Sequence, residues 1–178
     1  MAHYEQRVFI DKLKQDFPTS FNNSKVLEIG SLNINGTARD FFTNCDYIGI
    51  DVGPGPDVDI IAQGQEYDAK ESSFDTVLSC ECFEHNPFWL ETFLNMIRLC
   101  RSEGLVFFTC ATTDRPEHGT TRTSPKDSPL TGEIGWEFYK NLTEKDFTSV
   151  IDFKKYFKDY NFSVNNSPHD LYFWGIKL

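Results

Sequence analysis

The sequence predicts an α/β protein with an open, mostly parallel sheet and helices on both faces. Two short apolar segments that each end in an acid indicate this fold, one reaching Glu28 and the other reaching Asp51. Apolar strand-like and helix-like segments then alternate as far as Cys110, a pattern typical of a parallel sheet. Glu28 and Asp51 are therefore expected at the carboxyl ends of neighbouring strands, where open α/β sheets bind nucleoside-containing ligands.

The elements follow in order along the chain. Residues 1–24 are expected to form a helix and a loop, because Phe9, Leu13 and Phe17 lie close to helical spacing. After the first strand, a loop opens at Gly30 and closes at Gly36. Further on, we expect a helix over about 87–100 and a strand over 105–110.

The C-terminal third begins with a long loop at 112–141, rich in Thr, Pro, Ser and Gly. Loops of this length in compact domains are usually functional or disordered. Thr143 and Asp146 have the spacing of a helix cap. A second helical segment is expected over 153–160, and two closing strands over 162–165 and 171–178.

The glycine loop limits which class of nucleoside ligand can bind. A dinucleotide fingerprint is G-x-G-x-x-G, and its middle glycine lets the backbone approach a pyrophosphate. In this chain that position is Leu32, which would crowd a pyrophosphate but not a nucleoside that carries no phosphate. S-adenosylmethionine is such a ligand, and two carboxylates suit its ribose diol and its ammonium group.

Two longer runs, residues 47–62 and 73–85, resemble the class I S-adenosylmethionine-dependent methyltransferases of the type 11-like group. The second run, SFDTVLSCECFEH, is similar to the family's SFDVVISTEVLEH. The resemblance extends over about 25–111. It implies a Rossmann-like fold with an antiparallel C-terminal hairpin, a single methyltransferase domain over 1–178, and S-adenosylmethionine as cofactor.

The resemblance also implies which residues bind the cofactor. Asp51 is expected to accept hydrogen bonds from the ribose hydroxyls, and Gln63 takes the place of an acid that often contacts the adenine amino group. Glu28 either orders the glycine loop or holds the methionine ammonium, and a helix-cap role stays open. The full predicted set is Glu28, Gly30, Ser31, Leu32, Asp51, Val52, Gln63, Gly64, Ser79, Cys80 and Glu81.

Two groups of residues are candidates for acting on or binding the methyl acceptor: two histidines and the side chains of the long loop. His85 and His118 are the candidate general bases, because a neutral imidazole is available near neutral pH; His85 alternatively braces the following helix. The 112–141 loop is expected to cover the acceptor, and it supplies Arg122, Trp136 and Tyr139 as substrate-binding candidates.

Composition disfavours several partners. A net charge of −10 is unsuited to a nucleic-acid backbone, and no apolar run reaches the roughly 20 residues that span a bilayer. Five cysteines without a signal peptide indicate a cytoplasmic protein with reduced thiols. Cys80, Cys82 and His85, with Glu81 and Glu84, offer metal-ligand types, but Cys80 and Cys82 are too close together for a usual zinc pair, so no metal is predicted.

The sequence therefore predicts methyl transfer from S-adenosylmethionine to an oxygen or nitrogen of a small molecule, such as a metabolite or a sugar. No nucleic-acid or membrane partner is expected, and the oligomeric state is left open. Two alternatives share the fold: a nicotinamide-dependent oxidoreductase, and an S-adenosylmethionine-binding protein without catalysis.

Overall fold

Seven strands form one sheet in the computed structural model, which describes residues 3–178. The order across the sheet is β3-β2-β1-β4-β5-β7-β6. The strands, in chain order, are β1 (Lys25–Ile29), β2 (Asp46–Asp51), β3 (Ile60–Ile61), β4 (Phe74–Cys80), β5 (Cys100–Ala111), β6 (Phe157–Asn165) and β7 (Asp170–Lys177). The first five strands are parallel, whereas β7 runs antiparallel to both β5 and β6. This confirms the predicted sheet and its antiparallel C-terminal hairpin.

Within residues 3–178, four α-helices accompany the sheet: α1 (Tyr4–Asp16), α2 (Trp89–Leu99), α3 (Pro129–Glu133) and α4 (Glu144–Thr148). The two long helices, α1 and α2, lie where the apolar spacing predicts them. The predicted cap of α4 is also present, because Thr143 and Asp146 form a capping box.

Two hydrophobic clusters fill the opposite faces of the sheet. Neighbouring residues of one strand divide between them, as strand geometry requires: Phe107 belongs to the cluster beneath α1, and Phe108 to the cluster beneath α2 and α4. Stacked and edge-to-face phenylalanines dominate the cluster beneath α2 and α4. They account for many of the 17 phenylalanines in the chain, an unusually high number.

The expected alternation of strand and helix is wrong between β1 and β4. That stretch holds one 3-10 turn (Ala38–Phe41) and no α-helix. Its sequence includes Gly30, Gly36 and the GPGP run at 53–56, and glycine and proline are the poorest helix formers. The segments between β1 and β4 therefore form irregular loops instead of an α-helix.

The prediction of a helix over 153–160 is also wrong. Phe153–Lys155 form a single 3-10 turn, and β6 begins at Phe157. Phe153, Phe157 and Tyr160 do recur at near-helical spacing, but their rings contact one another across the turn and the irregular start of β6.

Replacing Phe108 tests the larger cluster. The ring is fully buried, with centroids 4.9 Å from Phe83, 4.8 Å from Phe147 and 5.1 Å from Phe173. We expect Phe108→Ala to lower the free energy of unfolding by about 3–5 kcal/mol, since it removes a large side chain from a packed core. Urea denaturation measures the change. Val150→Ala, at a side chain that is 61% exposed, is the control and should change stability by less than about 0.5 kcal/mol. A loss below about 1 kcal/mol for Phe108→Ala would contradict the described packing.

Candidate active site

Three parallel strands end at the same level of the sheet. Strand β1 lies between β2 and β4, and its last residue, Ile29, pairs with Ile50 on one side and Ser79 on the other. The segments that follow these strands border one shared cavity.

The glycine loop is fixed to β2 by its backbone. The amides of Gly30 and Ser31 both donate to the carbonyl oxygen of Ile50, at 2.9 and 3.1 Å. Gly30 has φ +80°, and a Cβ built there would lie 2.6 Å from the Cβ of Cys82. This position therefore requires glycine for its conformation and for its close approach to the segment after β4.

Asp51 is held by two amides at the end of β2. Its Oδ2 accepts from the amide of Leu32 at 3.0 Å, and its Oδ1 accepts from the amide of Val52 at 2.8 Å. Burial raises the pKa of Asp51, and the two amide hydrogen bonds oppose that rise. Each oxygen keeps a further lone pair for a ligand hydroxyl.

Glu28 is buried at the floor of the same cavity. Its Oε2 accepts a hydrogen bond from the Tyr47 hydroxyl at 2.8 Å. Burial raises the pKa of Glu28 to about 7, with Tyr47 and the charge of Arg39 acting in the opposite direction. The carboxyl group thus contacts a side chain of the neighbouring strand, and it has no helix-cap contact among the described residues.

Most of the predicted cofactor residues come together around this cavity. Those that line it are Glu28, Gly30, Ser31, Leu32, Asp51, Val52, Gly64, Cys80 and Glu81. Two do not. Ser79 lies below the surface, where its hydroxyl donates to the carbonyl of Ile29, and the amide oxygen of Gln63 accepts from Gln65.

The long loop covers the cavity through a part that sequence reasoning missed. Residues 127–131, which include most of α3, line the cavity together with Trp136. The side chain of Leu130 is buried, and a Cβ built on Gly53 would lie 2.9 Å from it. The loop is therefore anchored next to the end of β2, over the predicted ribose position.

Gln6 is a second lining residue that was missed. It is buried on α1, and its Nε2 donates to the Thr109 hydroxyl at 2.8 Å. A signal was present, because Gln6 is a polar residue on the same helical face as Phe9, Ile10 and Leu13. No comparable signal marks residues 127–131.

His85, His118 and Tyr139 form a group at one end of the cavity. The His85 ring centroid lies 4.9 Å from that of His118 and 5.5 Å from that of Tyr139. Only His85 of the three lines the cavity itself. Burial lowers the pKa of His85 to about 3 and also lowers the pKa of His118, so both imidazoles are neutral near pH 7.

Arg122 lies apart from this group. Its guanidinium is exposed and binds Glu117 at 2.7 Å, with Glu137 at 3.8 Å. These ion pairs join two parts of the loop, and Arg122 does not line the cavity. Its predicted role in acceptor binding has no support from this position.

Glu81 and Glu84 are two buried acids in the segment between the end of β4 and His85. Glu81 lines the cavity and has φ +50°, an uncommon conformation for a residue other than glycine. Neither oxygen of Glu84 has a hydrogen-bond partner among residues 3–178, whereas a hydrogen bond from Thr109 lowers the pKa of Glu81 against the effect of burial. Burial raises the pKa of both groups, that of Glu84 to about 8. Sequence reasoning missed Glu84 as a site residue, although it lies in the same run as Glu81 and His85.

Comparison with known structures shows the fold clearly. The 1,6-didemethyltoxoflavin-N1-methyltransferase of Burkholderia thailandensis, with bound 1,6-didemethyltoxoflavin and S-adenosylhomocysteine, superposes with a TM-score of 0.61 at 15% identity, covering 99% of this chain and 91% of that one. The phosphoethanolamine N-methyltransferase 2 of Haemonchus contortus gives a TM-score of 0.63 at 15% identity, covering 98% of this chain and 53% of that one.

No curated protein sequence is similar enough to this chain to match it. A protein-family comparison, in contrast, matches a methyltransferase domain over residues 1–166. Among the described residues, no helix has the length and apolar character needed to cross a membrane. The family match spans nearly the whole chain and agrees with the strand order and the glycine loop, so this protein belongs to the methyltransferase domain family.

Proposed function

We propose that this protein transfers a methyl group from S-adenosylmethionine to an oxygen or nitrogen atom of a small molecule, such as a metabolite or a sugar. The observation that carries the proposal is the shared cavity. The glycine loop, Asp51, His85 and Glu81 all line it. We place the cofactor beside the glycine loop and Asp51, the donor end, and the acceptor beside His85, the acceptor end.

The donor end suits a nucleoside with an amino-acid tail. Asp51 keeps acceptor capacity for two ribose hydroxyls after binding its two amides. Glu28 supplies a second buried carboxyl group near the glycine loop, where an ammonium group would restore its charge. Leu32 occupies the position that a pyrophosphate would need, which favours S-adenosylmethionine over a dinucleotide.

The acceptor end suits a small polar molecule. The loop residue Trp136 borders the same cavity, and enclosure excludes water from the reacting groups. We propose that His85 and His118 act on the acceptor, the neutral imidazole taking up the proton that a hydroxyl or amine acceptor loses. The solved relatives named above act on small molecules, which supports this acceptor class, and the net charge of −10 disfavours a nucleic acid.

Calorimetry and a methyl-transfer screen test the proposal. S-adenosylhomocysteine should bind and NAD should not, because of Leu32. A screen of metabolites and sugars with a labelled methyl donor should then identify an acceptor. Binding of NAD in preference to S-adenosylhomocysteine would favour the oxidoreductase alternative, and cofactor binding without any acceptor would favour the non-catalytic one.

Removing the Asp51 carboxylate should weaken cofactor binding. Asp51→Ala is expected to cost about 1–3 kcal/mol, because the ribose hydroxyls and the two loop amides lose a charged acceptor. This corresponds to a loss of roughly 5- to 150-fold in S-adenosylhomocysteine affinity, measured by calorimetry. Asp46→Ala is the matched control, since Asp46 is an exposed acid at the opposite end of the same strand. Unchanged affinity in a folded Asp51→Ala protein would refute the ribose role.

A side chain at Gly30 should push the glycine loop away from Cys82. Gly30→Ala forces a Cβ against Cys82 and strains a backbone at φ +80°, so we expect cofactor affinity to fall at least about tenfold while circular dichroism shows a folded protein. Gly132→Ala is the control, because nothing lies within 4 Å of a Cβ built there. Equal affinities for the two variants would show that the glycine loop does not border the cofactor.

Loss of the His118 side chain should affect turnover and leave cofactor affinity nearly unchanged. His118 does not line the cavity but contacts His85 at its acceptor end. We expect turnover of His118→Ala to fall by roughly 100-fold with the acceptor found in the screen. His169→Ala provides the comparison, since His169 lies outside this group of rings. Wild-type turnover by His118→Ala would restrict the chemistry to His85.

A further inference from the structure

We propose that Glu84, His85 and His118 form a binding site for one divalent first-row transition-metal ion, beside the methyl acceptor. The site itself depends only on these three side chains, whereas its position next to an acceptor rests on the proposed function. Two imidazoles and one carboxylate are a ligand set suited to ions such as Zn²⁺, Mn²⁺ or Co²⁺.

Geometry gives the first support. One ligand atom from each of the three residues lies within 4.8 Å of the other two. Glu84 and His85 are held in one 3-10 turn (Phe83–His85) directly after β4, and His118 reaches them from the long loop. Metal–ligand distances in such sites are about 2.0–2.2 Å, so side-chain movements on the order of 1 Å bring all three atoms onto a common ion.

The carboxylate of Glu84 gives the second support. The residue has no exposed surface, and neither oxygen has a hydrogen-bond partner in the described part of the chain. A buried carboxylate without a partner is costly, and buried charges in proteins are usually paired or bind metals. No lysine, arginine or histidine forms a salt bridge with Glu84 within residues 3–178, whereas a bound cation would favour the ionised form of this carboxyl group.

The histidines give the third support. The Nδ1 atom of His118 lies 3.0 Å from the carbonyl oxygen of Pro116. Donation from Nδ1–H to this carbonyl leaves Nε2 with a free lone pair, and metal-bound histidines commonly donate their other ring nitrogen in this way. The Nδ1 atom of His85 is buried without a partner in the described chain, so this ring also has an unused nitrogen.

A second polar cluster nearby provides a contrast. His3, Glu81 and Asp170 also converge within 4.8 Å. There, however, the Arg115 guanidinium lies 3.2 Å from Asp170, and His3 Nε2 lies 2.6 Å from the other oxygen of Asp170. Protein cations therefore already neutralise that cluster, while Glu84 has none.

The position of the site suggests its use. His85 lines the same cavity as the glycine loop and residues 127–131 of the long loop. An ion bound to its ring would therefore face the acceptor. A bound metal lowers the pKa of a coordinated hydroxyl and orients it. In that case His85 and His118 act as ligands, and they contribute to proton loss from the acceptor through the ion instead of as free bases. The ligand set contains neither Cys80 nor Cys82, so it is distinct from the cysteine site that the sequence disfavours.

Metal titration of the full-length protein tests this inference. After dialysis against a chelator, Co²⁺, Zn²⁺ and Mn²⁺ are each titrated by calorimetry, and Co²⁺ binding is also followed by visible absorption. We expect one ion per chain, and a visible cobalt spectrum without a thiolate-to-cobalt band. A thiolate band would place the ion on cysteine and overturn the inference, as would failure of all three ions to bind.

Three variants locate the ion. His118→Ala changes a half-buried loop residue and should weaken Co²⁺ binding at least tenfold, with the thermal midpoint of the metal-free protein nearly unchanged. Glu84→Gln keeps the side-chain volume and should have the same effect on Co²⁺. His169→Ala removes a histidine outside the cluster and should bind Co²⁺ like the wild type. Equal Co²⁺ affinity in all three variants would overturn the site.

Cofactor binding separates this inference from the proposed function. S-adenosylhomocysteine is titrated into the same metal-free protein. Cofactor binding without metal binding would overturn the metal site and leave methyl transfer standing. Metal binding without cofactor binding would support the site and refute the proposed function.

Discussion

The parallel alignment of β1 between β2 and β4 is the constraint on which the site depends. It places Ile29 level with Ile50 and Ser79, so three chain segments leave the sheet at one edge. The backbone of the glycine loop bonds directly to β2, and Asp51 then bonds back to the loop. A shift of one residue in this register would move every strand side chain to the opposite face and would separate these groups.

The cavity and its surroundings hold several buried acids, which the protein satisfies to different degrees. Its donor end is largely satisfied within the protein, since Glu28 bonds to Tyr47 and Asp51 bonds to two amides. Glu84, next to His85, is the exception, because neither of its oxygens has a hydrogen-bond partner among the residues described. Burial raises the pKa of Glu84 to about 8, so the group is mostly protonated near pH 7, and a bound cation would favour its ionised form.

Aromatic packing makes this edge possible. The phenylalanine cluster beneath α2 and α4 holds β4, β5 and β7 together, and the turn carrying Glu84 and His85 begins at Phe83 within that cluster. The side chains after β4 are therefore positioned by a rigid core, whereas those of the long loop are held mainly by Leu130 against Gly53 and by ion pairs at Arg122.

Sequence reasoning succeeded where the signal is local and failed where it is not. The amphipathic spacing of 87–100 and the capping pair Thr143–Asp146 depend on neighbours along the chain, and both predictions are confirmed. The aromatic residues at 153, 157 and 160 have helical spacing, yet β7 and the phenylalanine cluster draw this segment into a strand. Tertiary pairing outweighs local periodicity there.

The sequence by itself determined the sheet, the glycine loop, the acid at the end of β2 and the family to which the chain belongs. These follow from hydrophobic pattern, glycine placement and the spacing of short motifs, all of which act over a few residues. Only the tertiary structure decided that residues 127–131 cover the cavity, that Gln6 lines it, and that His118 meets Glu84 and His85. Such contacts join residues tens of positions apart, and they depend on how the long loop folds back over the sheet, which no local pattern encodes.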